Sequence, residues 1–439
     1  MASLPILDFY RRSSRADLRS DLVAGLTVGV MLVPQGMAYG MLAGLSPVVG
    51  LYASTLPLIV YGVLGTSRVL AVGPVAVVSM LTLSAIAPHA AAGSDVALGM
   101  AVTLAALVGV IQLVMAALRA SFFVNFLSHP VLSGFGTASA LLIMVSQVGP
   151  LLGFRSPRGH TLIELAPGVV SGLTEAIPVT AAVGLGSMLF LIGFKRLSKT
   201  LPAALFVVIL SVAANLLLDL EGGYGLAVVG EVPGGLPMPV LPGLSDVGTL
   251  LPSALAIALV GYVESISVAQ SFARRAGHKV DAGQELLALG AANLASAFVQ
   301  GMPVTGGFSR TAVAAEVGVR SPIASVVAAL TVIVVLLFLT PFFTHLPLAA
   351  LAATIIVAVW SLVDIKEIRH ILAVKRRDVL PLLATLAVTL LLGVEPGIAA
   401  GVALSLGLFL WRSARPHVAT LGQMPGTTEY RNVVRHPEA

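Results

Sequence analysis

The sequence predicts an all-α polytopic membrane protein, and three observations carry that prediction. Hydrophobic residues make up 57% of the 439 and charged residues only 10%, with a mean hydropathy of +1.00; soluble globular chains carry about 25% charged residues. Apolar runs recur along the whole chain, each near the roughly 20 residues an α-helix needs to cross the hydrocarbon core. The runs lack the alternation of a transmembrane barrel, whose strands show segments of roughly ten residues. The first run leads directly into others, so it reads as a first span and not as a cleaved signal peptide. There is no cysteine, which removes disulfides, thiolate nucleophiles and thiolate metal sites. The net charge of +5 arises from loop Lys and Arg and gives no indication of nucleic acid binding.

Taken in order, residues 1–20 form a basic cytoplasmic segment and 21–412 a transmembrane domain of about fourteen spans. Spans 1 and 2 are expected at 22–44 and 47–65, with Pro34 bending the first because proline removes a backbone donor. Gly36, Gly40 and Gly44 form a small-residue stripe on it that permits close helix packing. Span 3 (70–88) follows "GTSRVLAVGP" and is short and broken. Spans 4 to 7 follow at 95–118, 121–150, 167–194 and 200–218, closing a first repeat over about 21–218. A Gly/Pro-rich connection (219–246) leads to the second repeat, about 248–412. Its spans are 248–272, 282–301, 305–317, 321–340, 346–363, 379–394 and 396–411, and span 10 (305–317) is again short and broken after "GMPVTGGFS". Residues 413–439 return to polar composition.

Charge placement orients the threading. With the N-terminus and its Arg11, Arg12, Arg15 and Arg19 in the cytoplasm, all 25 Lys and Arg fall inside except Arg155, Arg158 and Arg310. The 219–246 connection carries four acids and no Lys or Arg, as an outer loop should. The skew follows the positive-inside rule and supports the even span number, with both termini inside.

Seven spans per copy force a second copy to be inverted. An offset of 233 pairs Ala43-Gly44 with Ala276-Gly277, Gly50 with Gly283 and Gly73 with Gly306, without a gap. Inverted repeats with broken helices are the architecture of many secondary transporters, with the site at mid-membrane between the copies. The offset also pairs "VGPVAVVSM" (72–80) with "TGGFSRTAV" (305–313). Pro74 suits a first helical turn, and Gly306 and Gly307 permit unusual dihedrals. Two helices starting near the bilayer centre aim free N–H groups and positive dipole ends into one cavity, an anion site built of backbone. Arg310, a permanent cation between apolar runs, adds full charge to it. Its alternative reading is an ion pair or carbonyl-capping contact inside the bundle, and Thr305 and Ser309 read equally as helix caps. Glu264, about 15 Å along span 8 from Arg274 at 1.5 Å per residue, is the other mid-membrane charge. It reads either as a titratable coupling group or as a salt-bridge partner of Arg310. Gln35, its counterpart at an offset of 229, and Tyr39 read as site-lining groups or as interhelical hydrogen-bonding residues.

The stretches "LVPQGMAYGMLAGLSPVVGLYAS" (32–54), "GTSRVLAVGPVAVVSM" (65–80) and "RRAGHKVDAGQELLALGAANLASAFVQGMPVTGGFSRTAV" (274–313) resemble the sulphate permease (SulP) family of anion transporters, over essentially the whole chain. The family includes bacterial sulphate, bicarbonate and dicarboxylate transporters and animal relatives of pendrin and prestin. The resemblance implies seven plus seven inverted spans, a core domain of spans 1–4 and 8–11, a gate domain, and a homodimer. It implies an anion site between the starts of spans 3 and 10. Val75, Ala76 and Val77 would stand on one side and Gly307, Phe308, Ser309 and Arg310 on the other, with Gln35 and Tyr39 lining it from span 1 and Glu264 from span 8. The tail "RPHVATLGQMPGTTEYRNVVRHPEA" resembles the family's lead-in to a cytoplasmic STAS domain, and the chain ends there, without that domain.

The expectation is a secondary active transporter in the inner (plasma) membrane, carrying a small anion by proton-coupled symport and needing no cofactor or metal. Small Val75 and Ala76 leave room for a dicarboxylate such as fumarate, beside sulphate and bicarbonate. Glu264 with Ser265 and Ser267 leaves sodium coupling open, and anion exchange, an anion channel or a voltage-responsive motor are the alternatives. A nucleobase:cation symporter shares the fold, but Arg310 favours a full anion. No HExxH, GxSxG, P-loop or GxGxxG motif is present, and the eight His are scattered mainly at span ends, so an enzyme is not expected.

Overall fold

A computed structural model describes residues 5–437 apart from 120–128, 156–158, 160, 198–201, 244–245, 364, 375–377 and 415–419. The start of predicted span 5 and several loop cations (Arg158, Lys199, Lys375, Arg376, Arg377 and Arg415) lie outside the described residues. Each of the fourteen predicted spans contains a helix. Among the described residues five helices are long and apolar enough to cross a bilayer alone: Arg15–Leu42, Pro47–Leu64, Asp95–Ala117, Pro130–Leu152 and Val247–Arg274. Others are shorter, among them Ala203–Leu218, Ile323–Phe338, Leu348–Val359 and Val379–Leu392. Span 12 is continued by a 3-10 turn at Trp360–Leu362 and span 11 by one at Thr340–Phe343.

Span 1 begins at a capping box in which Ser14 and Asp17 satisfy each other's backbone, and it runs through Pro34 unbroken. Gly25 and Gly29 lie against span 11, where a Cβ would approach Val327 and Thr331 to 2.5 and 2.6 Å. Gly36 and Gly40 abut Gly50 of span 2 so closely that a Cβ on Gly50 would overlap the Gly36 carbonyl. Gly44 departs from the expected stripe: it lies past the helix end at φ 75°, a left-handed turn residue. Span 4 meets span 9 (Ala282–Phe298) at a second glycine crossing, Gly109 on Gly290.

One boundary needs correction. Span 6, expected as a single helix over 167–194, is Pro178–Leu197, and the apolar helix Leu162–Gly172 before it joins through Leu173–Glu175 at a bend of 117°. Pro178 disfavours helix at Ile177, and the Ile177 N–H donates to the Leu152 carbonyl instead. The apolar run is therefore split between two directions.

The two broken spans meet each other. Strands β1 (Val72–Gly73) and β2 (Thr305–Gly306) pair antiparallel, Val72 opposite Gly306 and Gly73 opposite Thr305. Applying the offset of 233 exchanges one of these pairs for the other, so a two-fold axis in the repeat passes through the ladder. The axis crosses where the helices of span 3 (Ala76–Ile86) and span 10 (Phe308–Val317) begin. The polar tail folds as a hairpin, Leu421–Gln423 on Tyr430–Asn432.

Candidate functional site

Four sets of hydrogen bonds hold the ladder in place. From span 8 (Val247–Arg275), Ser265 Oγ accepts from the Gly306 N–H at 2.8 Å and lies 2.6 Å from Thr305 Oγ1, while Thr305 Oγ1 donates to the Gly261 carbonyl. From span 9, buried Asn293 imitates a third strand: its Oδ1 accepts from the Val304 N–H and its Nδ2 donates to the Val304 carbonyl. Within span 10, Thr311 Oγ1 accepts from the Ala71 N–H. The fourth set centres on Glu285, fully buried on span 9, which accepts from Tyr61 Oη, Thr66 Oγ1 and the N–H groups of Thr66 and Ser67, fixing the loop that leads into β1. Asp21, equally buried on span 1, does the same after span 10, accepting from the N–H groups of Arg320 and Ser321 and from Ser321 Oγ.

Both half-helices then start without side-chain caps, at Val75 and Gly307. Thr305 is spent on span 8, and Ser309, in the first turn, makes no hydrogen bond among the described residues, so neither residue is the cap that sequence permitted. The first N–H groups of each helix, at Ala76, Val77 and Val78 and at Phe308, Ser309 and Arg310, have no intrahelical acceptor.

These starts open on one cavity of about 40 Å³, lined by Gln35, Tyr39, Val75, Ala76, Val77, Glu264, Gly307, Phe308, Ser309 and Arg310. All ten residues expected at the site are brought together. Three more that sequence reasoning missed, Ala358, Val359 and Leu362 at the end of span 12, close the remaining wall. Phe308 is half exposed at the rim, its ring 5.9 Å from that of Phe272.

Arg310 is 2% exposed, yet its Nε and Nη2 have no partner, and Oε2 of Glu264 and Oε1 of Gln35 are likewise buried and unpartnered. Among the described residues no direct ion pair joins Arg310 to Glu264, so the salt bridge that sequence permitted between them is not formed. The guanidinium folds back beneath the ladder: a Cβ on Gly73 would stand 3.3 Å, and one on Gly307 2.9 Å, from Nη2. The Arg310 guanidinium and the Glu264 carboxyl thus line one cavity without a direct hydrogen bond between them.

Comparison with known proteins agrees with this geometry. Residues 18–385 match the Sulfate permease family. The chain is 37% identical to sulfate transporter 4.1, chloroplastic, of Arabidopsis thaliana over 95% of its own length and 62% of that protein's. It is 35% identical to a probable sulfate transporter of Mycobacterium tuberculosis over 98% of its length and 77% of the relative's. The chain thus spans less than two thirds of the Arabidopsis relative. Murine solute carrier 26 family member A9, an anion transporter solved in the inward-facing state, superposes with a TM-score of 0.89 at 26% identity, covering 99% of this chain and 75% of that one. The transmembrane domain of the cyanobacterial bicarbonate transporter BicA shares the fold, with a TM-score of 0.77 at 21% identity over 90% of this chain and 99% of that one. A half-helix pair, a two-fold ladder and a family match over most of the length lead to one conclusion: the chain belongs to the sulfate permease family.

Proposed function

We propose that the chain is a secondary active transporter that carries a small oxyanion by alternating access, with a proton as the coupling ion. The observation that carries the reading is the buried Arg310, without a direct ion pair, behind two uncapped helix starts that face one cavity. Each helix start contributes roughly half a positive charge, so with Arg310 the site holds about two. A divalent anion balances that charge when Glu264 is protonated, and a monovalent anion balances it when Glu264 is ionised. Sulphate therefore calls for one proton, and bicarbonate for none. A sodium site at Glu264 receives less support, because the Ser265 hydroxyl is engaged with the Gly261 carbonyl, Thr305 and the Gly306 N–H, and Ser267 is exposed.

The small cavity and the names of the sulphate-transporting relatives both favour sulphate over a dicarboxylate such as fumarate. Spans 1, 3, 8 and 10 line the cavity on one side and span 12 on the other, as expected if a core domain moves against a gate domain around a fixed site. The bias of Lys and Arg toward alternate loops supports a cytoplasmic location for both termini in a plasma membrane, and the family fold supports a homodimer.

Uptake of labelled sulphate into proteoliposomes tests the reading. Uptake should rise under an inward proton gradient, saturate, show counterflow, and be competed by bicarbonate more strongly than by fumarate. Glu264→Gln should bind sulphate but lose the response to the gradient. A mutant that still concentrates sulphate with the gradient would remove Glu264 from the coupling role, and a wild type that requires sodium would replace the proton.

A further inference from the structure

A second cavity, of about 740 Å³, shares no lining residue with the central site and is bordered by loop cations. Three of them converge on it from different loops: Arg68 ahead of span 3, Lys279 between spans 8 and 9, and Arg320 after span 10. Among the described residues none of the three makes a direct ion pair, although Arg320 and Arg68 lie near enough to Asp17 to act on it electrostatically. Two carboxylates do line the cavity, but both are committed to helix starts. Asp17 accepts from the N–H and Oγ of Ser14, and Asp281 Oδ1 accepts from the N–H groups of Gly283 and Gln284. Arg68 lies over the Phe9 ring, 5.7 Å from its centre, which steadies the guanidinium without neutralising it.

The cations are held in register before any ligand arrives. The buried carboxylate of Glu285 fixes the backbone of Thr66 and Ser67 beside Arg68, and that of Asp21 fixes the Arg320 N–H itself. His278, between Ala276-Gly277 and Lys279, presents ring nitrogens that have no hydrogen-bond partner. Burial, with Arg68 nearby, lowers its pKa and so favours the neutral ring. Preorganised guanidinium and ammonium groups around a roomy, wet cavity fit a ligand with several acceptor oxygens and more than one negative charge.

We propose that this vestibule binds a phosphate-bearing polyanion, which bridges the loops of spans 3, 8 and 10 and so fastens together the three elements that frame the transport cavity. The phosphate belongs either to a soluble cytosolic compound or to a lipid headgroup reached across the N-terminal helix Pro5–Arg12, where Leu7 and Tyr10 are exposed. The proposal goes beyond the transport reading and does not depend on it.

Inorganic pyrophosphate is the probe for the first source, titrated into the purified full chain while the melting temperature and the heat of binding are followed. For the second, the chain is reconstituted in nanodiscs with and without phosphatidic acid, and lipid retained after detergent exchange is measured. Arg68→Gln/Arg320→Gln should weaken pyrophosphate binding, or reduce lipid retention, by about tenfold or more, given the strength of charge-assisted hydrogen bonds. Both side chains are exposed and the Asp21 clamp uses only the backbone of Arg320, so the variant should fold; Lys279→Gln is the milder second variant. Ser309→Leu, which fills the central cavity, should leave the effect intact. Pyrophosphate binding supports the soluble source, and phosphatidic acid retention without it supports the lipid source. The proposal falls if neither probe binds, if both cation variants bind like wild type, or if Ser309→Leu alone abolishes the effect.

Discussion

Arg310 occupies its place because two positions beside it lack side chains. Gly73 has φ 149°, a conformation that favours glycine on its own account, but Gly307 has φ −101°, which any residue adopts. Gly307→Ala is therefore the cleaner substitution, since its effect is crowding of the guanidinium and not backbone strain. Sulphate uptake should show KM raised about tenfold or more, the scale of a displaced charge-assisted contact, with unchanged yield and monodispersity. An unchanged KM would mean that the guanidinium does not face the anion. Arg310 and Glu264 were legible in the sequence because a charge within an apolar run contrasts with its surroundings. Ala358, Val359 and Leu362 were not, because apolar residues on an apolar span carry no such contrast and only the packing of span 12 turns them inward. Asp21 and Glu285 had the contrast, but their hydrogen-bonding partners are backbone N–H groups from distant loops, which leave no trace in side-chain identity.

At the scale of elements, the broken spans could be read from Gly and Pro ahead of short apolar runs, and the structure adds why the breaks hold their shape. Backbone at membrane depth needs every donor and acceptor satisfied within the protein. Asn293, Ser265 and Thr311 supply the partners around the ladder, and Glu285 supplies them for its approach. Glu285→Ala leaves Tyr61 Oη, Thr66 Oγ1 and two N–H groups without their acceptor. The expected cost is about 3 kcal/mol or more, read as a lower melting temperature and reduced yield in detergent. Glu285→Gln, which keeps one carbonyl acceptor, should recover part of the loss. The misread sixth span has an equally local cause: Thr174, Glu175 and Pro178 interrupt the apolar run between residues 167 and 194. Likewise, Gly44 repeats the four-residue spacing of Gly36 and Gly40, and nothing in that spacing reveals that the helix has already ended at Leu42.

For the whole molecule, the inverted repeat was visible as a run of glycine matches, because glycine is retained where backbones touch. Gly50, whose counterpart at the offset is Gly283, lies against the Gly36 carbonyl, and Gly73 and Gly306 are both ladder residues. Assembly beyond one chain was available only through family resemblance, as no residue pattern marks the interface. The homodimer expected from the fold should elute on size exclusion with light scattering at about twice the 44.9 kDa chain mass, after correction for detergent. A single-chain mass under conditions that preserve sulphate uptake would make the protomer the working unit.

The ladder also sets an order of events during synthesis. Val72 and Gly73 leave the ribosome more than two hundred residues before Thr305 and Gly306, and their backbone partners do not exist until then. Through most of translation, the entrance to span 3 must therefore wait with unsatisfied amides, at the membrane surface or in a water-lined groove, because the bilayer interior would penalise it. Closing a contact so distant along the chain is a late and slow step. The last piece of secondary structure to form at the centre of the molecule is then the one that completes the proposed anion site. A nascent chain halted before span 10 would possess most of its helices but only part of the proposed anion site, which would be assembled with the joining of the two halves.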